Sequence, residues 1–107
     1  MSPATREIAL PIARDHPAFE GHFPGRPILP GVALLGEVFA ALARNAAFDP
    51  LAFTLSSAKF LRPVPPGEPL VLRWVSSPGG AIRFEVHGEA GPVASGAVAP
   101  RRPDVAT

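Results

Sequence analysis

Between His16 and Asn45 the chain reads HPAFEGHFPGRPILPGVALLGEVFAALARN, a proline- and glycine-rich loop running straight into an almost wholly apolar segment. Pro17, Pro24, Pro27 and Pro30 each fix a backbone φ angle, and Gly21 and Gly25 supply permissive positions between them. A loop shaped in this way suits a site that must hold one side chain still. From about Gly31 to Asn45 the pattern predicts a helix in which Val32, Leu34, Leu35, Val38, Phe39 and Leu42 leave little room for a solvent face. Glu37 and Arg44 mark one polar stripe, with Ala33, Ala40 and Ala41 beside it. Gly36 stands about 100° round from Glu37, which assigns it to the apolar side with Val32, Phe39 and Ala43. A glycine inside a helix costs roughly 1 kcal/mol relative to alanine, so its presence invites a reason. A helix apolar on nearly every side must be wrapped by other structure.

The remaining segments supply the wrapping. Residues 6 to 14, REIALPIAR, alternate as a strand, and Pro11 within it points to a sheet edge or a bulge. After Phe48-Asp49-Pro50, residues 52 to 62 form a long strand candidate ending in the turn PVPPGE. Leu70–Val75 and Ala81–His87 follow, separated by SSPGG, with Ile82, Phe84 and Val86 facing inward and Arg83 and Glu85 outward. Gly91–Ala99 is a weaker strand of small residues. Turns at this spacing predict an antiparallel meander, and the whole an α+β domain of about five strands wrapped around one central helix. Residues 1–99 are expected to form a single domain and 100–107 a disordered tail.

Composition narrows the function. With 107 residues there is room for one core only. Hydrophobic residues make up 47% and charged residues 18%, so part of the apolar surface is expected to meet a partner subunit. Ten basic and nine acidic residues give a net charge of +1 without a basic run, which argues against nucleic acid as the main partner. The absence of cysteine excludes disulfides, thiolate catalysis and zinc–cysteine sites. No signal pattern opens the chain, and Glu37 interrupts its longest apolar stretch, so a cytoplasmic location and no membrane contact are expected.

The chemistry-bearing residues cluster in the same stretch. His22 sits on the proline-fixed loop, and Pro30-Gly31 leaves free backbone N–H groups at the helix start, where a developing anion is stabilised. That combination suits base chemistry on a carbonyl compound. His16 reads as a loop-shaping or surface residue and His87 as the end of an exposed strand face. His16 and His22 with Asp15 or Glu20 match no usual metal-ligand spacing, so no metal is expected.

Two blocks, GHFPGRPILPGVALL at Gly21–Leu35 and AKFLRPVPPGE at Ala58–Glu68, resemble the signatures of the hotdog-fold 3-hydroxyacyl-acyl carrier protein dehydratases of bacterial fatty acid synthesis. Within that family the chain looks more like the compact relatives of polyketide-like or polyene pigment pathways. The resemblance implies elimination of water from a 3-hydroxyacyl thioester, on acyl carrier protein or coenzyme A, to give a 2-enoyl thioester. It implies that His22 removes the α-proton and that the Gly31 N–H polarises the thioester carbonyl. It implies no cofactor, since the thioester itself acidifies that proton. The family also places a Glu or Asp fourteen residues after the histidine, reaching the site across a dimer interface. Here that position is Gly36, and Glu37 is one residue late.

Several readings follow from that vacancy. The protein is a slow dehydratase with water in place of the carboxylate, or it recovers Glu37 through a local helix shift, the least favoured of the three. Alternatively it pairs, as a heterodimer, with a second dehydratase that supplies the acid. An impaired subunit that binds acyl chains and an acyl thioesterase of the same fold stand as further alternatives. Val32, Leu35, Phe39 and Phe60 are candidates for an acyl tunnel, and Arg26, Lys59, Arg62 and Arg73 for contact with an acidic carrier protein. A homodimer or higher homo-oligomer, its sheets joined edge to edge, is the expected assembly.

Overall fold

The computed structural model describes residues 5–13, 15–19, 29–46 and 48–101. In chain order these form strand β1 (Arg6–Ala9), helix α1 (Gly31–Asn45), and strands β2 (Phe53–Phe60), β3 (Val71–Ser76), β4 (Ile82–Gly88) and β5 (Gly91–Pro100). Short 3-10 turns at Pro17–Phe19 and Pro50–Ala52 precede α1 and β2. The strands make one antiparallel sheet in the order β1-β3-β4-β5-β2.

Only β3, β4 and β5 follow one another as a meander; β2 crosses to the far edge and pairs with β5, which corrects the simple meander expected from turn spacing. The expected first strand over residues 6 to 14 is also shorter. Its ladder stops at Ala9, with one further bond from the Leu10 N–H to the Leu70 carbonyl (2.9 Å), because Pro11 has no N–H to donate. That strand lies at a sheet edge, where a proline is tolerated. β5 continues through Pro100, and the Arg101 N–H bonds the Ala52 carbonyl (2.7 Å), so the ordered chain extends past residue 99. Residues 102–107 lie outside the described residues. In the turn between β3 and β4, Gly80 takes φ +91°, a conformation that excludes most side chains.

Strand alternation sets the core. Leu72, Trp74, Ile82, Phe84, Val86, Val93 and Val98 point from the sheet onto Leu34, Leu35, Val38, Ala41 and Leu42 of α1. Phe39 joins them through an edge-to-face contact with Phe84 at 6.5 Å between ring centroids and a tilted one with Phe48 at 5.7 Å. Arg83 and Glu85 face outward as their alternation requires.

The helix itself corrects one expectation. Val32, Gly36, Ala40 and Ala43 are exposed, Val32 at 80%, so the described residues cover only one side of α1. These residues recur at helical spacing and form an uncovered stripe of small and apolar side chains.

Candidate active site

The first hydrogen bond of α1 runs from the Leu34 N–H to the Pro30 carbonyl (3.0 Å), which leaves the N–H groups of Gly31, Val32 and Ala33 ahead of the ladder. Pro30 occupies the N-cap in extended geometry, and among the described residues no side chain caps the helix. No acidic residue stands in its first turn, so the positive end of the helix dipole is uncompensated there. Gly31 lets the Phe60 ring lie close: a Cβ at this position would stand 2.9 Å from that ring. Phe60, the last residue of β2, is 48% exposed, so its ring roofs the helix end while one side remains open.

The two sequence blocks are brought together at this point. Besides the Phe60 ring over Gly31, the Leu29 N–H bonds the Val64 carbonyl (2.8 Å), tying the chain just before the helix to the segment after β2. His22 and Arg26 fall on residues 20–28, outside the described residues. Among the acyl-tunnel candidates, Phe60 and Val32 border the helix end, whereas Leu35 and Phe39 pack in or against the core.

Gly36 and Glu37 face different ways. An ideal Cβ on Gly36 meets nothing within 4 Å, and the residue is exposed. Glu37 turns instead toward the loop before the helix, its Oε2 3.3 Å from His16 Nε2, rather than sharing a free polar stripe with Arg44. The His16 ring also accepts the Ala18 N–H on Nδ1 (3.0 Å), capping the turn at Pro17–Phe19. Local spacing gave no hint of this pair, because the partners are 21 residues apart.

The proposed carrier-binding cations are not equivalent. Arg62 makes a two-pronged pair with Glu68, Nη1 to Oε1 at 2.8 Å and Nη2 to Oε2, so it ties the PVPPGE turn together instead of standing free. The hydrogen bond from Arg62 holds the Glu68 carboxyl below the ordinary carboxylate range, against the opposing effect of burial. Arg73 pairs with Glu7 across β3 and β1 at 2.5 Å. Lys59 is exposed and forms no ion pair among the described residues. Arg73 also lines a groove of about 600 Å³ on the sheet face away from α1, with Arg83, Glu85, Ser57 and Ser95. Among the described residues no three His, Asp or Glu side chains gather as a metal site, and no helix is long and apolar enough to cross a membrane.

A five-stranded antiparallel sheet packed on one long helix defines a hotdog-fold protein, and solved structures of dehydratases share it. One is the dehydratase heterocomplex ApeI:P from Xenorhabdus doucetiae (TM-score 0.75, 24% identity, 95% of this chain and 100% of that one). Another is the dehydratase domain of PpsC from Mycobacterium tuberculosis (TM-score 0.72, 20% identity, 95% of this chain and 40% of that one). The model of the ApeI-like family, described as ApeI dehydratase, matches residues 2–97, and the chain belongs to that family. It is similar to the 3-hydroxyacyl-[acyl-carrier-protein] dehydratase FabZ of Pectobacterium atrosepticum, 34% identical over 107 residues (85% of this chain, 70% of the relative). The FabZ of Verminephrobacter eiseniae is 41% identical over 69 residues (54% of this chain, 45% of the relative). The chain spans about half the length of curated relatives such as this last one.

Proposed function

We propose that this protein is a dehydratase subunit that eliminates water from a 3-hydroxyacyl thioester, carried on acyl carrier protein or coenzyme A. The observation that supports this most directly is the uncapped start of α1 at Gly31 beneath the Phe60 ring. A thioester oxygen placed there meets free N–H donors and the positive helix end as it gains enolate charge. In the proposed reaction His22 takes the α-proton, the electron pair forms the new C=C bond, and the 3-hydroxyl leaves as water after receiving a proton. A single domain that runs through the end of β5 carries the reaction in this reading, and no cofactor takes part.

The proton donor is what this chain lacks at position 36. A second reading, partner dependence, is favoured by the outward direction of Gly36 within the uncovered stripe Val32, Gly36, Ala40 and Ala43. A second dehydratase-like chain packed along that stripe, and beside the edge strand β2 with exposed Leu55 and Phe60, would bring its own carboxylate to this site. The similar ApeI:P structure is itself a dehydratase heterocomplex.

The test is dehydration of a 3-hydroxyacyl thioester by the purified protein beside His22→Ala and Gly36→Asp. Loss of the base is expected to lower turnover by about 10²–10⁴-fold. Gly36→Asp is expected to raise it, since the new side chain enters open space. Turnover that His22→Ala leaves intact would sink the assignment. A protein inactive alone but active with a second dehydratase chain would establish the partner-dependent form.

A further inference from the structure

We propose that Glu37 and His16 are a positioning pair that fastens the start of the His22-bearing loop to helix α1. The His16 N–H closes a turn on the Ala13 carbonyl (3.0 Å), so the backbone at this residue is already fixed. Its Nδ1 accepts the Ala18 N–H, so the neutral ring carries its proton on Nε2, the nitrogen that faces Glu37. One imidazole thus caps the turn at Pro17–Phe19 with one nitrogen and reaches the helix with the other. Glu37 lies six residues beyond Gly31, roughly 9 Å along the helix axis. The far end of the same loop is held by the Leu29–Val64 bond immediately before the helix. The described residues on either side of 20–28 are therefore both tied to the body that presents the Gly31 N–H.

The side chains of His16 and Glu37 are 23% and 36% exposed, so the hydrogen bond is partly shielded from competing water. This also gives Glu37 a task of its own. Its carboxylate is engaged by His16 and directed away from the face of Gly36, so it orients the loop without replacing the missing acid. The kinetic consequence rests on the dehydratase reading; the structural one does not.

The test therefore has two readouts, on the whole chain and on Glu37→Ala, Glu37→Gln, His16→Asn and the Glu37→Ala/His16→Asn double variant. By ¹⁵N NMR the His16 ring is expected in the Nε2–H form. Amide exchange at Ala18 and Phe19 is expected to speed up about tenfold in Glu37→Ala, with β3–β5 unchanged. Glu37→Gln keeps an acceptor for Nε2–H and is expected to restore most of the protection. His16→Asn keeps an acceptor for the Ala18 N–H but is too short to reach Glu37. If the protein turns over substrate, Glu37→Ala and His16→Asn should each lower kcat about ten- to a hundredfold, and the double variant no further. KM should stay within about twofold. Unchanged exchange in Glu37→Ala, an Nδ1–H ring, or losses that multiply in the double variant would overturn the proposal. A parent chain without turnover, both alone and with a second dehydratase chain, would overturn the dehydratase reading and leave the exchange experiment to decide the pair.

Discussion

At the scale of residues, two contacts make opposite kinds of prediction. Gly31 is defined by what its missing Cβ would strike, the Phe60 ring at 2.9 Å, and that ring is half exposed and able to swing aside. Gly31→Ala should therefore cost about 1 kcal/mol or less in a denaturant titration. It should nevertheless lower kcat/KM about tenfold by displacing the roof of the oxyanion position, with Phe60→Leu restoring part of the loss. The Arg62–Glu68 pair concerns stability. Glu68 titrates lower in the folded protein than its ordinary value of 4.5 because Arg62 bonds it. Its contribution is thus fully present above that value and is lost as pH falls through the lower folded value. Glu68→Gln should flatten the acid limb of the melting-temperature profile, and Arg62→Ala should destabilise by about 1–3 kcal/mol at neutral pH by leaving a nearly buried carboxylate unpaired.

Elements show where small residues are structural and where they are not. β5 runs between β4 and β2, and a Cβ on its Gly96 would lie 2.5 Å from the Ser57 carbonyl oxygen and 2.6 Å from the Phe84 ring. Backbone on one side and a core aromatic on the other cannot both give way, so Gly96→Ala should cost about 1–3 kcal/mol in urea unfolding. Gly36 is the contrary case. It faces open space inside α1, and Gly36→Ala should stabilise the chain by about 1 kcal/mol through helix propensity alone. The inward alternation of Ile82, Phe84 and Val86 was legible in the sequence because a strand repeats every second residue, and so was the helix from Gly31 to Asn45. The place of β2 was not. Its turn signals are equally consistent with a hairpin to β3, and pairing with β5 is decided only once three later strands have returned alongside it.

For the whole molecule, the open question of assembly becomes a measurement. The uncovered stripe on α1 and the exposed Leu55 and Phe60 on the edge strand β2 offer a second chain both apolar surface and unpaired strand groups. In the partner reading, Ala40→Glu places a charge in the middle of that stripe and should shift the protein toward the monomer in size exclusion with light scattering, while the far-UV spectrum stays unchanged. Gly36→Asp should show enhanced dehydration only in the associated form. A parent chain that is monomeric at all concentrations and still fully active would remove the composite site.

The fold class and the span of the helix from Gly31 to Asn45 can be read from the chain alone, which also points to Gly31 as a candidate site. Helical and strand periods and proline-fixed turns are local quantities, and the two signature blocks lie intact along the chain. Which side of α1 the described residues leave uncovered, that Arg62 belongs to Glu68 and Arg73 to Glu7, and that Glu37 turns to His16 follow from the folded arrangement. The reason is physical: a charged side chain takes the partner that the folded backbone brings within reach, and Arg73 and Glu7 meet across a separation of 66 residues. A helix composed largely of apolar residues likewise cannot state how many of its sides one small sheet is able to cover.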